Sequence, residues 1–343
     1  MKKIINYLVL AVLLVGTLYL FFSKSDIGNL KTLIVNSNKL YILVGVLAMG
    51  MYWLMESVML SMLIENVHRK ISLWKTFKLT MIGQYYSHLT PFSSGGQPAQ
   101  LYEMSKDEIP VGKATAVLVN KFFLFQITVT IYALVLALFR LPLFIQKLSG
   151  AFYFIFTGLT FNIVGLAVLL IIAIKPRKFE HIIKKVIDLL KNLKIVKNRD
   201  KVVKSVMSHI KDYEKNLKVA LENKELFIKL IFLTMIQLTA YFSITYFIYK
   251  SLGLSEMNFF DILALQSFLY MAICFIPTPG TVGAAEAGFS SILSIVFAHG
   301  FLSYGLLLWR GISFYFSFLI SGMVTLFVYV KSKYSKKYEY AGL

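Results

Sequence analysis

The chain predicts an all-α polytopic integral membrane protein, and three observations lead there. Hydrophobic residues make up 57% of its 343 residues and charged residues only 15%. The apolar residues gather in runs near the ~20 residues a membrane helix needs, longer than a soluble core requires. These runs do not alternate apolar with polar, which excludes a transmembrane barrel. Two stretches rich in Gly and Pro interrupt the pattern: Leu89–Gln100 (LTPFSSGGQPAQ) and Phe275–Glu286 (FIPTPGTVGAAE). Paired interruptions of this kind point to a transport site between two halves of a membrane protein.

In chain order, Met1-Lys2-Lys3 precedes an apolar run from Ile4 to Phe22, too long for a signal-peptide core and without a cleavage site, so an uncleaved first helix is expected. Leu40 to Ile64 is a second span carrying Glu56, and the basic loop Glu65–Lys70 follows. Residues 73–103 form a first broken hairpin around Pro91, Gly95, Gly96 and Pro98. Ala114 to Phe139 is a span containing Lys121, and Phe152 to Ile174 is another. Residues 175–229 carry sixteen Lys/Arg against seven Asp/Glu, a net of +9, with apolar residues at helical spacing. That segment reads as a cytoplasmic amphipathic linker, either lying on an anionic leaflet or packing on the protein itself. Leu226 to Tyr249 is the next span, residues 259–299 a second broken hairpin, and Leu302 to Val330 the last long apolar segment, carrying Arg310.

The net charge of +19 is concentrated in a few loops and reads first as topology. With basic loops inside, both termini are cytoplasmic and the two hairpins enter from opposite faces. Each half then has about three spans plus a broken hairpin, an inverted-topology repeat over residues 1–140 and 151–335. Lys121 lies 30 residues after Pro91 and Arg310 lies 31 after Pro279, so each closing helix places a cation in its first half. Parity leaves open whether the hairpins are re-entrant or cross twice.

Four ionisable residues fall within apolar runs: Glu56, Lys121, Glu286 and Arg310. A charge at mid-bilayer costs about 2.5–3.5 kcal/mol on insertion scales, so such residues are functional candidates. Two readings stand: the acids and bases neutralise one another and fix packing, or Lys121 and Arg310 hold a phosphate, with Glu286 receiving a cationic headgroup or a proton. Freed N–H groups near Pro279, Gly280 and Gly283 would add donors, and Gly96 and Gln97 would line a headgroup path. Tyr85, Tyr86 and His88 read as interfacial aromatics. The single Cys274 and five scattered histidines give no metal or disulfide signature, and no catalytic constellation, cofactor or nucleic-acid partner is expected.

Thr90-Pro91-x4-Gly96-Gln97-Pro98 and Ile276-Pro277-x-Pro279-Gly280-x2-Gly283-x2-Glu286 resemble the transmembrane region of bacterial lysylphosphatidylglycerol synthase/flippase proteins, also found as stand-alone membrane proteins, some of them archaeal. The resemblance runs from about residue 5 to 330. It implies movement of lipid across a bacterial cytoplasmic membrane, with an anionic or aminoacylated phospholipid such as lysylphosphatidylglycerol as partner, and resistance to cationic peptides as a consequence. It also implies roles for Pro279, Gly280, Gly283, Glu286 and Arg310. Where members often carry an acidic-Arg pair, this chain reads Asn120-Lys121. The soluble acyltransferase-like domain of full-length members has no counterpart expected here, because the linker is too short and Lys-rich. Lysyltransferase activity is therefore the weaker expectation. An ion-coupled transporter and a membrane scaffold for a separate synthase remain as alternatives, and a homo-oligomer is a candidate assembly.

Overall fold

A computed structural model describes residues 35–140, 152–174, 223–274, 276–297 and 300–340, with isolated positions 200, 203 and 207. The expected first helix, the loop after Arg140, most of the basic linker, Phe275 and Ala298 lie outside the described residues. Every element among the described residues is helical: α1 Lys39–Val67, α2 Leu73–Leu89, α3 Gly96–Lys106, α4 Val111–Phe139, α5 Phe152–Ile174, α6 Lys224–Ser251, α7 Phe259–Ile273, α8 Ala284–Ile292, α9 Leu302–Arg310 and α10 Ser317–Tyr340, with short 3-10 turns between some of them. Four helices, α1, α4, α6 and the continuous run Leu302–Ser332, are long and apolar enough to cross a bilayer.

Helix starts are set by side chains that take up free N–H groups. Asn38 accepts from Leu40 N at 3.0 Å and Asn223 from Leu226 N at 3.0 Å. Asn258 and Asp261 form a reciprocal capping box at the start of α7. The last long apolar segment contains a π-helical stretch, Gly311–Phe316, directly after Arg310. The wider turn is the local irregularity often found where a helix carries function.

Helices α1 and α6 form the most extensive helix pair and run antiparallel. At one end Asn38 N donates to Ser251 O at 2.8 Å; at the other Asn223 Nδ2 reaches Asn66 Oδ1 at 3.4 Å. This pair fixes where the hairpins begin. The first, α2–α3, starts and ends at the C-terminal end of α1, where Arg69 donates to Asp107 O at 3.0 Å. The second, α7–α8, starts and ends at the opposite end, where Arg140 pairs with Asp261 at 3.1 Å and Ser37 meets Tyr304 at 3.3 Å. The hairpins therefore approach from opposite ends of a membrane-length helix.

Their tips meet: the 3-10 turn Pro91–Ser93 packs against the 3-10 turn Pro279–Thr281. The returning arms are short. At 1.5 Å per residue, the 11 residues of α3 reach about 16 Å and the 9 of α8 about 14 Å, half of a ~30 Å hydrocarbon core. Arms of that length, entering from opposite ends, let the two tips meet between the ends of α1.

The two tips share one backbone shape. Thr90 (φ −118°, ψ 145°) and Thr278 (φ −109°, ψ 141°) are extended, as a residue before proline should be. Pro91 and Pro279 each open the turn, and the next residue is left-handed in both: Phe92 at φ 55°, ψ 17° and Gly280 at φ 59°, ψ 18°. Ser93 and Thr281 follow at φ 53° and 55°. Below the first tip, Gly96 lies buried against α2, where an added Cβ would sit 2.6 Å from Gly83 O, so its place is in the packing of the hairpin arms.

Candidate functional site

Arg310, at the end of α9, is only 5% exposed. Its Nε donates to Glu286 Oε1 at 2.7 Å, Nη1 to Gly280 O at 3.2 Å and Nη2 to Thr281 O at 3.2 Å. The turn exposes those carbonyls because its left-handed residues break the helical ladder. Glu286 Oε2 in turn accepts from Gly283 N at 2.6 Å, so one carboxylate holds both the guanidinium and the start of α8. The guanidinium also lies 5.1 Å from the Phe314 ring centroid and 5.4 Å from that of Trp309. Three of its five N–H donors are used, and it lines the central cavity.

Gly280 is required twice over. Its φ of 59° suits glycine, and an added Cβ would enter the Phe314 ring. Gly280→Ala is expected to cost at least about 1–2 kcal/mol for the left-handed backbone. Displacing the ring should also loosen Arg310, and a lowered thermal unfolding midpoint in detergent would check this. At the matching place in the first tip, Phe92 carries the same left-handed strain without glycine to relieve it.

The second cation has a different set of partners. Lys121 Nζ, on α4, pairs with Glu56 Oε1 of α1 at 2.7 Å and donates to Gln100 Oε1 of α3 at 3.1 Å. Gln84 Nε2 of α2 holds the other carboxylate oxygen, Glu56 Oε2, at 2.8 Å. Gln100 is oriented by donating Nε2 to Leu79 O at 3.1 Å. Four helices thus converge on one ion pair.

Each expected cation therefore has its own carboxylate, and no acid is left over to oppose the other base. Two adjoining cavities receive these groups. One of about 630 Å³ is lined by Arg310, Gly280, Thr281, Ser313, His88, Tyr52, Gln84, Gln97 and Gln126, among others. A smaller one of about 180 Å³ holds Glu56, Lys121, Gln100 and Gly96, and shares Tyr52, Gln84, Ser87, Ser93, Gln97, Phe122, Phe125 and Tyr270 with the first. The shared wall joins them into one space in which these charged and amide groups stand among apolar side chains. Pro279 and Gly283 shape the second tip and do not line either cavity, and Glu286 reaches the space only through Arg310.

His88, read from sequence as an interfacial aromatic, stands in the cavity wall instead. Its ring contacts Phe314 and Phe318, and Nδ1 meets Gln84 O. The amides Gln84, Gln100, Gln126 and Gln237 were not singled out by sequence. Gln237 is 2% exposed with an unpartnered Oε1 in the smaller cavity. The signal was an amide within an apolar run, where a polar group is expensive unless it meets a partner.

Fold and site together define a polytopic membrane protein whose two broken hairpins meet beside an ion-paired internal space. The chain belongs to the family described as the lysylphosphatidylglycerol synthase TM region, whose profile matches residues 5–321. It is also similar to a UPF0104 membrane protein of Archaeoglobus fulgidus, at 22% identity over 310 residues, covering 89% of this chain and 92% of that protein. The resemblance drawn from the two Gly/Pro motifs thus holds at the level of family.

Proposed function

We propose that this protein translocates a phospholipid across the membrane, with the headgroup carried through the space between the two hairpin tips. One observation carries the reading: Arg310 and the Lys121–Glu56 pair line two adjoining cavities at the depth where the tips meet, and the exposed aromatics Phe92 and Phe122 stand in the same lining. Two cations balanced by two carboxylates suit a headgroup bearing both phosphate and ammonium, so an aminoacylated phospholipid such as lysylphosphatidylglycerol fits alongside a simple anionic one. The spare N–H donors of Arg310 and Lys121 would meet phosphate oxygens, and Glu56 or Glu286 the ammonium.

The halves are related, in this reading, as inverted repeats over residues 1–140 and 151–335; the matched tip dihedrals and opposite approach of the hairpins support it. Arg69, Lys70, Lys75 and Lys106 lie at the base of the first hairpin, and the positive-inside rule supports a cytoplasmic orientation for that end and, in this reading, for both termini. An ion-coupled carrier of a small solute is less well supported, since it needs an enclosed site. The purified chain in vesicles should speed the passage of headgroup-labelled aminoacylated or anionic phospholipid between leaflets above protein-free vesicles. A rate equal to that of empty vesicles for every headgroup would overturn the reading.

A further inference from the structure

Resting on that reading, we infer that lipid reaches the cavity sideways, past the tip of the first hairpin, and that Phe92 is the side chain against which its glycerol and upper acyl segments lie. The two tips share a backbone but not an environment. Pro91, Phe92, Ser93, Ser94 and Gln97 are exposed, whereas Thr278, Pro279, Gly280 and Thr281 are half-buried. Pro277 and Gly283 flank the second tip and are exposed too, but the turn itself is covered there, so the opening is assigned to the first hairpin's side.

The lip of that opening is apolar, and the interior holds Arg310 and several amides among apolar side chains. Phe92 is 56% exposed and Phe122 41%, and both line the large cavity. Phe122 directly follows Lys121 and lies 11 residues into α4, about 17 Å along its axis, a depth occupied by hydrocarbon. Beside the two rings, Ser93, Ser94 and Gln97 line the same cavity as Arg310. An amphiphile matches that sequence of surfaces; a water-soluble anion has no use for an aromatic lip at that depth.

Backbone strain points to the same residue. Phe92 holds a left-handed conformation that the other half gives to glycine, and it gains no burial in return. Strain kept at an exposed position on a cavity is a reason to look for function there. The occupant is one bilayer phospholipid, its headgroup inside and its chains left outside the lip.

The test uses the full chain in vesicles of phosphatidylglycerol and phosphatidylethanolamine. A photoactivatable phenylalanine analogue at position 92 should capture phospholipid, and capture should fall when Arg310→Gln removes the headgroup anchor. The same analogue at Leu319, lipid-facing on α10 and away from the cavity, should capture lipid regardless of Arg310. Phe92→Gly, which suits the backbone and should fold, is expected to slow lipid passage about tenfold or more through loss of one aromatic contact, and Phe92→Trp to restore it. Parent-like passage in Phe92→Gly would overturn the portal while leaving translocation intact. If no chain moves lipid, translocation fails and the capture decides alone: Arg310-dependent capture at 92 upholds the portal, and capture indifferent to Arg310 sinks it.

Discussion

Replacing Arg310 with alanine is expected to abolish lipid passage and to destabilise the protein by about 3–5 kcal/mol, the cost of breaking a buried ion pair from one side. The lower end applies, because Glu286 is 20% exposed and keeps its bond from Gly283 N. Loss of the guanidinium would also leave the Thr281 carbonyl without its donor at membrane depth, while Gly280 O keeps only the bond from Thr281 Oγ1 at 2.7 Å. Arg310→Lys separates charge from shape. An ammonium can reach Glu286 but cannot bridge a carboxylate and two carbonyls in one plane, so most of the stability should return and little of the transport. Unfolding in detergent, read beside leaflet exchange in vesicles, checks both; an alanine variant with parent-like exchange would remove Arg310 from the site.

The second large effect is expected at Glu56. Glu56→Ala leaves the Lys121 ammonium with Gln100 as its remaining acceptor and should cost about 3 kcal/mol or more. The double variant Glu56→Leu, Lys121→Met removes both charges, fills similar volume and should recover most of that stability, since an apolar pair is often as stable as a buried ionic one. Transport should not recover. A double-mutant cycle between the two positions should give a coupling of at least about 2 kcal/mol, and a coupling near zero would mean the 2.7 Å contact contributes nothing.

Much of this site was legible in the sequence, for identifiable reasons. Pro91 and Pro279 forbid regular helix whatever surrounds them, so both tips could be located before any fold was known. Lys121 and Arg310 stood out because charge in an apolar run is costly. The pairing was not legible. Glu56 and Lys121 are 65 residues apart, and only the packing of α1 on α4 brings them together. Nor did sequence mark Phe92, since propensity gives left-handed positions to glycine or asparagine. The equivalence with Gly280 emerges from the dihedrals. The amides were overlooked for a third reason: Gln84, Gln100 and Gln237 carry no net charge, and their cost shows only when each is seen to have, or to lack, a partner.

The two tips are also fastened differently. The second is tied to α9 by the Arg310 bonds to Gly280 and Thr281. In the first, the bonds of Thr90, Ser93, Ser94 and Gly95 all return to their own hairpin. In mechanical terms, a load on the second tip passes directly into α9, whereas a load on the first tip is borne within its own hairpin before it reaches a neighbour.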